Sequence, residues 1–175
     1  DDTGGGKHDL RFDDFGDVTR DLPATRAQEE YDKAVSAFRA GEGAAAAFYL
    51  GAAAHYIGDL SQYGHTISGE GHHADFELWV GAKTASFAGS GVYDKFIQPD
   101  GLEARSAYDA VIRTGTFTRF GPRPVIAPHD LDDQFGDTQY RAAAVVSVGH
   151  TLNKAVNETA DMLYGFYQNV VKPMG

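Results

Sequence analysis

The stretch "GAAAAFYLGAAAHYIGDL", from Gly43 to Leu60, constrains the fold more than any other. It is apolar almost all round. It therefore reads as a central, buried helix running from Gly43 to about Gln62. No part of the chain approaches the roughly 20 apolar residues of a membrane span. Such a helix needs others packed around it, and the rest of the chain offers them.

Residues 1–22 are rich in Gly and Asp and read as irregular. Pro23 opens a helix with Tyr31, Val35 and Phe38 on one stripe and Gly41 beyond its end. A third helix, about His72 to Phe87, carries Phe76, Trp79 and Val80. Residues 88–101 read as a loop, "LEARSAYDAVIRTG" as a short helix, and "TFTRFGPRPVIAPHDLDD" as a Pro-broken connection. The last helix is long, about Gln139 to Val171, with Val145, Val148, Leu152, Val156, Leu163, Phe166 and Val170 at helical spacing. No internal repeat or convincing strand pair is visible. The expected class is all-α, a multi-helix domain.

At 175 residues, one domain with a sizeable core is expected. The formal net charge of −10, without any basic run, argues against tight binding to nucleic acid or to an anionic membrane. The absence of cysteine rules out disulfides and thiolate metal sites.

The segment His55 to Glu77 holds four of the seven histidines and no lysine or arginine. Its pattern is His55-x3-Asp59-x5-His65-x7-His73-x3-Glu77. Residues at i and i+4 share a helix face, so His55 converges with Asp59, and His73 with Glu77. Six residues past Asp59 in an unbroken helix, His65 would face about 240° away. It joins only if the helix stops first, and Gly64 offers that stop. His65 then completes a three-ligand set with His73 and Glu77. Imidazole and carboxylate without thiolate suit zinc, and three protein ligands leave a position open.

Against this stands the simpler reading that a helical His-x3-Asp is only a hydrogen-bonded pair. Two such pairs with a histidine between them favour the metal. His72 is expected in solvent or behind the ligands, competing with His73. His129 and His150 read as structural. The acids Asp130, Asp132, Asp133 and Asp137 read as a solvated loop, since they lack the Gly and Glu positions of an EF-hand.

The run "FYLGAAAHYIGDLSQYGH", followed by "HADFE", resembles the F-Y-L-G-x3-H-Y-x-G-D-x5-H and H-x3-E segments of the zinc-dependent phospholipase C family. That family includes the catalytic domain of clostridial alpha-toxins, and single-strand nucleases share its fold. The close resemblance covers about residues 46–80, and "NETADMLYGFYQNV" is more weakly similar to the family's last helix.

The resemblance implies a secreted α-helical enzyme with a zinc cleft. His55 and Asp59 would bind a first zinc, with Asp59 bridging to a third, and His65, His73 and Glu77 would bind a second. His8 would be the remaining first-metal histidine. Two zinc ions are expected from this chain. Family enzymes begin with a tryptophan that ligates the third metal, and a second histidine follows soon after. Neither is found here, and the family's proline before the loop histidine is replaced by Tyr63-Gly64. Asp1 or Asp2 is the candidate general base. The expectation is thus a catalytic domain over residues 1–175 without the family's N-terminal segment, which a separate polypeptide could supply.

The expected reaction is cleavage of a glycerophospholipid, met transiently at a membrane surface, to diacylglycerol and a phosphorylated head group by metal-activated water. Two readings compete with it: a zinc-dependent single-strand nuclease and a non-catalytic, metal-stabilised binding domain. Glu77, where the nuclease branch carries Asp, and the short His65–His73 connection disfavour the nuclease.

Overall fold

A computed structural model of the chain describes residues 7–67, 73–84, 91–121 and 138–174, with no account of the side chains of 138–143. Within these residues the protein is mostly helical. The α-helices are α1 (Leu22–Arg39), α2 (Gly43–Asp59), α3 (His73–Thr84), α4 (Ala107–Phe120) and α5 (Thr138–Phe166). The all-α expectation has one exception. Residues Arg11–Phe12 (β1) and Val18–Arg20 (β2) form an antiparallel ribbon ahead of α1. Its turn is held by Asp13, whose side chain accepts from the backbone N–H of Phe15 and of Asp17.

Helix α1 starts with Pro23 in its first turn, where the missing N–H costs nothing. It buries Ala24, Ala27, Tyr31, Ala34 and Ala37. This small-residue stripe lets α1 lie close against α2. Gly41 has φ +79°, the left-handed turn that ends the helix. Tyr31 and Phe38 then meet Phe166 of α5 edge-on, at 5.7 and 5.6 Å between ring centroids.

The main core joins these residues to Leu10, Ala53, Tyr56, Ile57, Leu60, Val111 and Met162. A smaller cluster of Tyr63, Phe76, Tyr93, Ala144 and Val148 lies beneath α3. Thr118 of α4 donates to the Leu60 carbonyl at 2.6 Å, satisfying an acceptor at the α2 C-terminus.

Several sequence expectations need correction. Helix α2 is not covered all round. Gly43, Ala44, Ala47, Phe48, Gly51, His55 and Gly58 are exposed, with Phe48 72 % open. It ends at Asp59 rather than Gln62. Helix α4 starts at Ala107, where Ser106 caps it by accepting from the Asp109 N–H, and runs five residues beyond the expected Gly115. Gly115 is a packing residue: a Cβ there would stand 2.3 Å from Leu10 Cδ2. On α5, Val156 and Leu163 face solvent. The buried side carries polar Ser147, Thr151, Glu158 and Asp161 among its apolar residues.

Those buried acids lie among permanent cations. Glu158, 1 % exposed, is 2.6 Å from Lys154 Nζ, 2.8 Å from Arg113 Nε and 2.8 Å from Arg105 Nε. Asp161 accepts from the Glu103 N–H at 2.8 Å and pairs with Arg105. This network fastens the 103–105 segment to α5. It also holds the Arg113 guanidinium in its charged form, chiefly through the hydrogen bond to Glu158.

Candidate metal centre

The last turn of α2 places His55 and Asp59 on one face, as the i, i+4 spacing requires. The helix stops there because Gln62 is extended, with ψ 130°. A short turn, Tyr63–His65, follows, closed by Thr66, whose N–H and hydroxyl both reach the Tyr63 carbonyl. His65 rides on this turn. Gly64 lies within it without a positive φ, so the left-handed glycine stop expected there is not used. The first turn of α3 carries His73 and Glu77.

Two triads result. His8, His55 and Asp59 bring ligand atoms within 4.8 Å of one another, and so do His65, His73 and Glu77. In the first, Asp59 Oδ2 is 2.6 Å from His8 Nδ1 and 3.3 Å from His55 Nε2. In the second, Glu77 Oε1 is 3.0 Å from His73 Nε2 and 3.4 Å from His65 Nε2. The triads adjoin, with the His8 and His65 rings 6.2 Å apart and the His65 and His73 rings 4.7 Å apart. His8 is steadied by stacking on buried Tyr56 at 5.3 Å.

Each triad could hold a divalent ion: two imidazoles and one carboxylate are borderline-soft donors of the kind zinc takes. Access differs between ligands. His55 is 60 % exposed, whereas His65 is 14 % exposed. Burial pushes the His65 imidazole below the usual histidine range, helped by the charge of His73 and opposed by Asp59, Asp9 and Glu77. A neutral imidazole is the form a metal needs.

The segment bearing His8 is tied to the turn bearing His65. The Leu10 N–H donates to the His65 carbonyl at 2.9 Å, and Arg11 Nη1 donates to the same oxygen at 3.1 Å. Arg11 Nη2 also pairs with Asp9 at 2.8 Å, and Asp9 Oδ1 is 3.5 Å from His65 Nδ1. Asp9 and Arg11 are contacts that reading the sequence missed. They span more than fifty residues, and the one local hint was an acid beside His8.

Of the other expected residues, Asp1, Asp2, His72, His129, Asp130, Asp132, Asp133 and Asp137 lie outside the described residues. His150 belongs to neither triad; its ring packs edge-on against Phe96 at 5.5 Å. A groove of about 640 Å³ lies between α1 and α2, lined by Glu29, Asp32, Lys33, Glu42 and Tyr49 among others. It shares no residue with the triads and collects no histidine. Comparison of the chain with protein-family models, curated proteins and solved structures finds no match.

Proposed function

We propose that the chain is a zinc-dependent phosphodiester hydrolase of the phospholipase C type, with the helical bundle of that family. One observation carries the reading: two adjoining His-His-carboxylate triads, each with ligand atoms within 4.8 Å. His8, His55 and Asp59 would hold one zinc ion, and His65, His73 and Glu77 a second. Bound zinc would supply charge neutralisation for a phosphate diester and an activated water.

The residues of the chain do the rest. Tyr56 orients His8 by stacking. The His65 turn and α3 bring their ligands together at one edge of the bundle. Asp59 carries both imidazoles on one carboxylate oxygen, and its other oxygen would reach a further ion, whose remaining ligands would include Asp1 or Asp2. The open side of His55 leaves room for an extended substrate, a glycerophospholipid at a membrane surface. The charge of −10 favours a zwitterionic head group over nucleic acid. Secretion goes with this reading.

A metal-stabilised binding domain is the second reading, favoured by the position of the groove between α1 and α2 away from the triads. Metal content and hydrolysis, measured on the same sample, separate the two. Phosphatidylcholine vesicles and single-stranded DNA are offered at equal phosphate concentration with added zinc. Two equivalents of zinc and faster lipid cleavage are expected. Two equivalents with no phosphodiesterase activity would move the assignment to the binding domain, and faster DNA cleavage to the nuclease.

A further inference from the structure

The second triad uses one nitrogen of His65, and the other nitrogen has a problem of its own. Nε2 faces Glu77. Nδ1 is buried and has no hydrogen-bond partner. Leaving a buried donor unmet costs about 1–3 kcal/mol. The group facing it is Asp9 Oδ1 at 3.5 Å. A closure of roughly 0.5 Å would bring the pair into ordinary hydrogen-bond range. Asp9 is also held in place: Arg11 grips its other oxygen and donates to the carbonyl of His65 itself.

We propose that Asp9 is a positioning residue for the second metal site, accepting the Nδ1–H of His65 so that Nε2 is left bare and aimed at the ion, with Arg11 as the clamp that holds Asp9. A histidine ligand whose far nitrogen donates to a carboxylate has a fixed tautomer and ring orientation and is a stronger ligand. One short segment then serves both triads: His8 enters the first, and Asp9 braces the second. Leu10 between them is fully buried, which anchors the backbone of both.

The inference rests on the metal reading above, and its test separates the two. Zinc is titrated into the full chain and into Asp9→Ala, Asp9→Asn and Arg11→Gln. In the unaltered protein two equivalents bind. Asp9→Ala should weaken one equivalent roughly 10–100-fold and leave the other nearly unchanged. Asp9→Asn keeps an acceptor and should recover much of the loss, and Arg11→Gln should show a smaller loss at the same equivalent. A merely structural role for Asp9 would lower melting temperature and both affinities together, and that result overturns the proposal. Should the variants fail to fold, the unaltered protein decides through the long-range proton–nitrogen NMR spectrum of its histidines. Protonated Nδ1 and bare Nε2 on His65 are expected, and the opposite tautomer overturns the proposal. If the unaltered protein takes up no zinc, the metal reading fails and this inference with it. If it takes up two equivalents and Asp9→Ala does the same with equal affinity, this inference alone fails.

Discussion

Two helical glycines make a paired test of the packing beneath the triads. A Cβ on Gly115 would stand 2.3 Å from Leu10 Cδ2 and 3.0 Å from Leu60 Cδ1, and both leucines are fully buried. A Cβ on Gly51 would meet nothing within 4 Å. Alanine gains about 1 kcal/mol of helix propensity over glycine at either position. At Gly51 that gain is uncontested, so Gly51→Ala should stabilise by roughly 0.5–1 kcal/mol. At Gly115 the new methyl must displace Leu10 or Leu60, and overpacking of this kind costs about 1–3 kcal/mol.

Helix propensity cancels between the variants. Their difference, about 1–3 kcal/mol in favour of Gly51→Ala, therefore isolates the clash. Urea melts in the presence of chelator measure it without a contribution from metal. For a chain of this size the gap corresponds to about 2–4 °C in Tm per kcal/mol. Leu10 lies between His8 and Arg11, so Gly115→Ala should also weaken zinc binding through His8, while Gly51→Ala should not. Equal stability of the two variants would refute the close packing of Leu10 on α4 and, with it, the account of how His8 is placed.

Chelation should lower the melting temperature, since ion binding to the native state adds to folding free energy; an unchanged midpoint would count against both sites. His65→Ala and Glu77→Ala should each remove one equivalent of zinc and leave the other, and unchanged stoichiometry in both would undo the second triad. Burial pushes the Tyr93 phenol up to about 12. The unfolded chain ionises first, near pH 10, so stability present below that pH is lost as pH rises towards 12, by roughly 2–3 kcal/mol. Tyr93→Phe should flatten that alkaline slope in pH-dependent melts, and an identical slope would remove Tyr93 from the account. In chelated protein Asp59→Asn should cost at most about 1.5 kcal/mol, while Glu158→Ala, which removes the carboxylate shared by Lys154, Arg113 and Arg105, should cost more, up to about 3–5 kcal/mol; the reverse order would mean that Asp59 serves the scaffold.

The helical pairs were legible because the period of an α-helix alone sets where residues four apart point. His55 with Asp59, and His73 with Glu77, needed nothing else. His65 needed one further step, a helix stop, and the stop came from Gln62 rather than from Gly64. His8 was legible only through the resemblance to the phospholipase C family, since its companions Asp9 and Arg11 act through contacts that local pattern does not encode. Composition marked α2 as apolar but could not say what covers it, and one of its faces is open. The frame of α4 was misjudged because Gly115 reads as a terminator, whereas Ser106 and Asp109 already marked its start. On α5 the buried ion network displaced the apolar stripe, so Val156 and Leu163 turned outward. The ribbon strands, at two and three residues, are too short to show a period.

The same chain pairs its carboxylates in two ways, and the contrast bears on the triads. Glu158 and Asp161 sit on α5 among Arg105, Arg113 and Lys154, side chains that stay charged at any physiological pH. That arrangement holds loop to helix and asks nothing of the solvent. Asp59, 16 % exposed, and Glu77 pair instead with His8, His55, His65 and His73. Burial disfavours the charged form of His65, which weakens it as a counter-ion. A neutral imidazole is, however, a form that can ligate a divalent ion. Among the described residues, the arginine beside the centre is Arg11, turned onto Asp9 and the His65 carbonyl, where it fixes the scaffold without competing for the ligand atoms. The division of labour follows from the chemistry of the side chains: permanent cations where the role is mechanical, and imidazoles beside carboxylates where, on the proposed reading, a divalent ion would bind.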